Sequence, residues 1–382
     1  MEKLKWVNGW GMAISHPPLN EAQWTNDTTV RYVIINSLDA KALKLKFSNR
    51  FGQNPATLSH VTVAKSVDSA DKVDNNTITQ VTFNGSKSGT MAPFGEIESD
   101  PIPFDVKCGE KIAVSIYFKD FTQLNTGITY DNQFFVKNFI EGDCTECSQF
   151  DTRKMAKCLS FSFLWSIDFL TYQDAYSIAA FGDSITTQEW VDIVANKLIQ
   201  NNMSNRAIVR RAISGSRIFG QYDAVSYYHY GEDGKTRFER EIVHSGIQKV
   251  IILHGINDLI HPDGQNEFRP MSDLPTTEQM IEGLTYYINT AHKHNIKAYI
   301  ATLLPFKGWR TYDKMRDDIR IEVNDWIRTQ NIADGVIDFD KAVRDENDPL
   351  CYKEGYHRGD CLHASLKGYQ AMSEIIDFKI FE

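Results

Sequence analysis

The sequence predicts two domains of different class. Residues 1–172 read as an all-β, jelly-roll-like sandwich, and residues 173–382 as a three-layer α/β domain around a parallel sheet. Three observations carry this. Through the first half, short apolar runs are separated by turn-forming clusters. No long segment with a 3.6-residue period interrupts that half. From about Tyr172 onward, short apolar runs alternate with stretches whose apolar residues recur every three or four positions, the signature of strands alternating with helices.

In the first half, Val30 to Asn36 is an extended apolar run. From Ala42 to Asn49, Leu43, Leu45 and Phe47 alternate with Lys44, Lys46 and Ser48, which gives one buried and one wet face. Similar runs fall at Val61–Ala64, Ile78–Phe83, Lys111–Phe118, Gln133–Val136 and Phe161–Phe169. Turn-rich segments such as Asn84-Gly85-Ser86 and Asp100-Pro101-Ile102-Pro103 lie between them. Many short strands without helices point to a sandwich.

The second half opens with a strand at Ser177–Gly182. A helix follows, carrying Trp190, Val191, Val194, Leu198 and Ile199 on one face. Ala207–Arg210 is the next strand. Lys249–Leu253 shows no polar alternation from Val250 on, as expected of a central parallel strand. Met280, Ile281, Leu284, Tyr287, Ile288 and Ala291 define a helix that Thr276 or Thr277 can cap. Ala298–Leu304 is a strand, and Met315, Ile319, Val323, Trp326 and Ile327 form the next helical stripe. A strand at Gly335–Phe339 and a helix from about Ser365 to Phe378 complete the pattern. Ligands of such sheets bind at the carboxyl ends of the strands.

The 382 residues carry a formal net charge of -9, with 41 Lys plus Arg against 50 Asp plus Glu. That balance argues against nucleic acid or an anionic membrane as the main partner. No apolar stretch approaches the ~20 residues that a membrane span needs. No signal-peptide pattern opens the chain, so the expected location is cytoplasmic, with export open if the natural precursor is longer. The six cysteines are Cys108, Cys144, Cys147, Cys158, Cys351 and Cys361. The lone CxxC at Cys144–Cys147 lacks a second ligand pair, so reduced cysteines are expected and no metal site. Asn26-Asp27-Thr28, Asn75-Asn76-Thr77 and Asn202-Met203-Ser204 match the glycosylation pattern, but carry little weight without a secretory signal.

Four motifs fall at strand ends or in loops of the second half. Phe181-Gly182-Asp183-Ser184-Ile185-Thr186 sits where the first strand gives way to a helix. Ser184 there is exposed to the positive end of the helix dipole, a place for a nucleophile; equally, Asp183 or Ser184 serves as a simple cap. Ile213-Ser214-Gly215-Ser216-Arg217 follows the second strand, and its glycine allows close backbone approach to a ligand. His254-Gly255-Ile256-Asn257-Asp258 follows the central strand and offers the Asn257 amide as a donor. Gly359-Asp360-Cys361-Leu362-His363 precedes the last helix. Asp360 and His363, three apart, can share one side of a turn, so that the carboxylate fixes the imidazole tautomer.

In this order the four motifs resemble the SGNH hydrolase superfamily, also called GDSL esterases or lipases. The tail from Leu362-His363 through Gly368-Tyr369-Gln370-Ala371-Met372 is similar to that family's ending. Arg31, Phe47-Ser48-Asn49-Arg50-Phe51-Gly52 and the Trp165-to-Phe181 junction resemble the N-terminal sandwich of a bacterial subset. The resemblance implies a flavodoxin-like catalytic domain and a short-chain carboxylic ester hydrolase that needs no cofactor. Ser184 would be the nucleophile, His363 the base and Asp360 its orienting acid. The oxyanion hole would comprise the Ser184 and Gly215 backbone N–H groups and the Asn257 side chain. By analogy the substrate is an acetyl ester on a carbohydrate, and the sandwich is a candidate carbohydrate-binding domain. Trp190, His254 and Trp309, with Tyr222 and Phe306, are candidate substrate contacts. The chain departs from the family pattern at Arg210 and Ala212, where many members carry Asn and Gly, and in the short loop after Ser184.

Other readings compete. One is a carbohydrate-binding protein with an inactive hydrolase domain. Another is a lipase or thioesterase acting on other acyl groups, although no long apolar lid segment is visible. A phosphotransferase of the haloacid-dehalogenase type would need a second Asp where Ile185 stands, and no GxxxxGK[ST] occurs.

Overall fold

The computed structural model describes residues 3–67, 72–129, 136–157 and 160–382. The chain divides into two compact units. One comprises residues 1–176 with 195–207, and the other residues 177–194 with 208–382.

The first unit is built on two antiparallel sheets. Its principal strands are β1 (Leu4–Gly11), β2 (Thr28–Ile35), β3 (Ala40–Ser48), β4 (His60–Lys65), β5 (Ile102–Val106), β6 (Lys111–Phe118), β7 (Val136–Glu141) and β8 (Leu164–Tyr172). One sheet runs in the order β1-β8-β3-β5, and the other places β7, β2, β6 and β4 side by side. Strand β5 is buried at every second residue, as the two-residue period requires. Leu43, Leu45, Phe47, Ile167 and Phe169 from the first sheet and Val61, Val63, Ile112, Val114 and Ile116 from the second are fully buried.

Differences from the sequence reading have local causes. Of Ile78–Phe83 only Thr79–Gln80 is a strand, because Phe83 turns back to pair with Ser86 around Asn84 and Gly85, both at positive φ. The Phe161–Phe169 run is split at Phe163, whose φ is 63°. The expected strand at Gln133–Val136 lies outside the described residues except at Val136, as does Cys158. Arg31 is fully buried. Its guanidinium donates to Ser115 Oγ at 2.8 Å and to the carbonyls of Cys144 and Cys147 at 3.2 and 2.8 Å, and lies over the Phe150 ring. Cys108, Cys144, Cys147, Cys351 and Cys361 are free thiols.

The second unit holds most of a parallel sheet. Its strands are β9 (Tyr176–Gly182), β10 (Arg206–Ala212), β11 (Ile247–Leu253), β12 (Lys297–Ala301) and β13 (Gly335–Ile337), in the order β10-β9-β11-β12-β13. That order is the flavodoxin-like one. Ile178, Ala180, Phe181, Val250, Ile251 and Ile252 are fully buried, as central strands covered on both faces demand. The helices are α1 (Ser184–Thr187), α2 (Trp190–Gln200), α3 (Gly234–Ile242), α4 (Ile256–Ile260), α5 (Thr277–Lys293), α6 (Lys314–Thr329), α7 (Phe339–Val343) and α8 (Leu366–Glu374). Helix α5 opens with a reciprocal capping box between Thr276 and Gln279. Strand β12 stops at Ala301, short of the expected Leu304, because the Asn324 side chain takes over the backbone of Leu303, accepting its N–H and donating to its carbonyl at 2.8 Å each.

Helix α6 departs most from expectation. Met315 is 52% exposed, and the buried face carries Arg316, Asp317, Arg320 and Asn324 beside Val323 and Ile327. Arg320 bridges Asp317 at 2.6 Å and Asp340 at 3.0 Å, and Asp340 also receives Arg328 and Arg344. Buried charges are tolerated here because each is paired. Among the described residues no helix is long and apolar enough to cross a membrane.

Candidate active site

The four motifs meet at the carboxyl edge of the parallel sheet. β9 ends at Gly182, and Asp183 caps α1 by accepting the Ile185 N–H at 3.0 Å. A Cβ on Gly182 would sit 2.3 Å from the Leu253 carbonyl oxygen, so only glycine lets β9 and β11 close at this point. Ser184, the first residue of α1, is half-buried.

His363 Nε2 lies 2.9 Å from Ser184 Oγ, and His363 Nδ1 lies 2.6 Å from Asp360 Oδ2. The other Asp360 oxygen accepts the backbone N–H groups of Leu362 and His363 at 2.9 and 3.0 Å. Burial alone would raise the Asp360 carboxyl. The His363 hydrogen bond and the two backbone donors outweigh it and hold the group well below the ordinary carboxylate range. An ionised Asp360 can only accept, so the imidazole proton sits on Nδ1. Nε2 is then left to accept the serine hydroxyl.

Gly215, after β10, has φ +81°. The Tyr230 ring lies so close to its Cα that a Cβ would come within 2.1 Å of a ring carbon. The Ser184 and Gly215 N–H groups find no acceptor among the described residues. Asn257, buried in α4, donates from Nδ2 to the Ser216 carbonyl at 3.0 Å, which fixes the amide and leaves its second N–H. Neighbouring Asp258 accepts the N–H groups of Ile218 and Phe219 at 2.8 and 3.1 Å, tying the loop after Gly215 to α4.

The site rests on two arginines that the sequence reading did not assign. Arg237 of α3 is fully buried. It donates to the carbonyls of Gly182 and Arg211 at 2.8 and 3.2 Å and to Ser216 Oγ at 3.2 Å. One guanidinium thus ties together the ends of β9 and β10 and the Gly215 loop. Arg210 donates to the carbonyls of Thr186 and Gln188, each at 3.1 Å, and pairs with Asp192.

The candidate substrate contacts separate. Trp309 stands edge-on to the His363 ring, centroids 6.4 Å apart, and is half-buried. Trp190 and His254 are corrected. Trp190 is fully buried against Phe339, 5.4 Å between ring centroids. His254 is 1% exposed, with Nδ1 3.0 Å from the Tyr287 hydroxyl and Nε2 3.1 Å from the Ser216 carbonyl. Both face the core: Trp190 opens α2 with its ring turned inward, and His254 directly follows the end of β11. Phe306 is likewise core. Tyr222 is buried and packs on Tyr230 and beneath Arg217.

A serine, an imidazole and a carboxylate linked in that order, beside two backbone N–H groups without acceptors at a sheet edge, are the groups that serine-hydrolase chemistry uses. Residues 180–371 match the GDSL-like Lipase/Acylhydrolase family, and the chain belongs to that family. Solved structures similar to the chain include the acetyl xylan esterase AlAXEase, at 19% identity over 52% of this chain and 97% of that one, with a TM-score of 0.39. An acetyl xylan esterase from Geobacillus stearothermophilus matches at 17% identity over 52% and 92% of the two chains, TM-score 0.37. A GDSL-like lipase from Bacteroides thetaiotaomicron matches at 16% over 54% and 87%, TM-score 0.37. A comparison with curated proteins found no match.

Proposed function

We propose that this esterase hydrolyses a short-chain carboxylic ester, an acetyl group on a carbohydrate, through a Ser184 acyl-enzyme. The observation that carries the mechanism is the unbroken chain Ser184–His363–Asp360, with 2.9 and 2.6 Å links. His363 Nε2 takes the hydroxyl proton as Ser184 Oγ attacks the ester carbonyl carbon. The proton then passes to the leaving alcohol oxygen. Water repeats the cycle, giving its proton to His363, releasing the acid and restoring the serine. Asp360 keeps the imidazole in the productive tautomer and stabilises its cationic form. Ser184 N–H, Gly215 N–H and the second Asn257 amide proton receive the oxyanion, each such donor being worth ~3 kcal/mol.

The short-chain reading draws on two rigid rings. Trp309 flanks His363, and the Tyr230 ring lies against Gly215. Such walls restrict the acyl side and offer apolar faces to a sugar leaving group. The reading is tested with p-nitrophenyl esters of increasing length and with acetylated xylo-oligosaccharides. Activity should be greatest on acetyl and vanish in Ser184→Ala. Equal rates in the variant would remove the mechanism, and preference for octanoyl or longer chains would remove the acetyl assignment.

A further inference from the structure

The first unit contains a cavity of about 220 Å³. Glu21, Trp24, Asn26, Tyr32, Phe139 and Ser160 are among the residues around it. Its volume lies below the ~300–1,000 Å³ typical of sites for drug-sized ligands, and suits a single small ring. Of the lining residues, Trp24 is 59% exposed and stacks on Phe121, itself 63% exposed, with ring centroids 5.6 Å apart and planes 27° from parallel. Trp24 belongs to a two-stranded ribbon, Trp24–Thr25 paired with Thr122–Gln123, so the ring pair is held by backbone. Two large aromatic rings left in water beside a cavity contribute little to folding, and contiguous exposed apolar surface of this kind marks binding sites.

The polar groups around the cavity narrow the ligand. The Glu21 carboxylate makes no hydrogen bond among the described residues, and neither does the Asn26 side chain. Burial holds the Glu21 carboxyl above the ordinary glutamate value, against the pull of Lys137. A carboxylate, an amide and hydroxyls beside aromatic faces match a molecule with apolar C–H faces and a rim of hydroxyls. Glu21 opposes an anionic ligand, and the protein's net charge of -9 opposes a polyphosphate. A fatty chain would displace water from Glu21 and Asn26 and offer no hydrogen bond in exchange.

We propose that this cavity binds one neutral pyranose unit of a glycan, its C–H face on Trp24 and its hydroxyls hydrogen-bonded to Glu21 and Asn26. This site does not depend on the esterase reading.

The test uses the full chain in affinity electrophoresis through deacetylated xylan, glucomannan and mixed-linkage β-glucan, which carry no ester for Ser184. At least one should retard the wild type. Trp24→Ala should weaken that retardation at least tenfold and Glu21→Gln severalfold, while p-nitrophenyl acetate turnover and melting temperature stay at wild-type values. Absence of retardation by all three glycans, or equal retardation of wild type and Trp24→Ala, overturns the proposal. Displacement of the bound glycan by dodecanoate, lost in Trp24→Ala, would show a lipid cavity and overturn it as well. Loss of ester turnover in Ser184→Ala reports only on the catalytic reading, so the two can fail separately.

Discussion

Arg210 holds the backbone that follows Ser184. Its Nε and Nη2 donate to the carbonyls of Thr186 and Gln188 at 3.1 Å each, and Asp192 neutralises it. The last turn of α1 is therefore fixed from the neighbouring strand. Arg210→Lys keeps the charge but cannot form the fork. Misplacement by about 1 Å can reduce turnover ~100-fold. A drop in kcat at nearly constant KM on p-nitrophenyl acetate, with the fold intact by circular dichroism, is the expected outcome; wild-type kcat would assign Arg210 to packing alone.

Asp360→Asn replaces an acceptor-only group by one that can present N–H to His363. The amide admits the wrong imidazole tautomer, and in such triads that change lowers kcat by ~10⁴. The expected result is a loss of that order with Ser184 still in place. A loss below tenfold would mean that another group orients His363.

Gly215→Ala places a methyl against the Tyr230 ring at φ +81°. The variant should be destabilised and nearly inactive. Adding Tyr230→Ala removes the collision and leaves the backbone strain, a term of about 1 kcal/mol. The double variant should recover most of the melting temperature. Failure to recover would show that the backbone conformation, not the ring, dominates.

Arg320 is 2% exposed between Asp317 and Asp340. Arg320→Met leaves the buried Asp317 without its counter-ion, while Asp340 keeps Arg328 and Arg344, and should reduce stability by ~3–5 kcal/mol, measured by chemical denaturation. Turnover below the melting range should persist. A neutral effect on stability would show that the helix α6 network repacks around an apolar side chain.

The parallel sheet and its loops were legible because strands buried on both faces read as unbroken apolar runs, and because ligand-bearing loops keep their glycines and polar tips. Phe181 to Ser184 and Asp360 to His363 are local motifs whose geometry follows from short spacing. Arg237 and Arg210 were not legible. Most of their partners are main-chain carbonyls, which leave no mark in the side-chain pattern. Helix α6 misled for the opposite reason: Met315 and Ile319 fit an apolar stripe, yet paired charges occupy the buried face. Trp190 and His254 drew attention as aromatic groups near motifs, but proximity in sequence does not set which way a side chain points. In the first unit, Lys111–Phe118 matched strand β6 in full, whereas the Ile78–Phe83 run was cut short by the turn at Asn84 and Gly85.

Asp183 links the site to pH. It is 1% exposed, and burial pushes its carboxyl from 3.8 to about 7 despite the Ile185 N–H and the charges of His363 and Arg237. Burial does the same to Asp258, also to about 7. A folded value above the unfolded one means that the folded protein retains protons which the unfolded chain has released between about pH 4 and 7. The stabilisation is complete below the unfolded value and is lost as pH rises through about 7. Asp360 acts oppositely, and its contribution is lost only as pH falls below the ordinary carboxylate range. The wild type should therefore be more stable near pH ~5.5 than near pH ~8.5, with each buried acid able to contribute up to ~2 kcal/mol across that span, because only the part below about pH 7 counts. Asp183→Asn keeps an acceptor for the Ile185 N–H and carries no charge at either pH. Its denaturation midpoint should change less between the two conditions than that of the wild type. Identical slopes would mean that Asp183 stays ionised in the folded protein, balanced by Arg237 and His363.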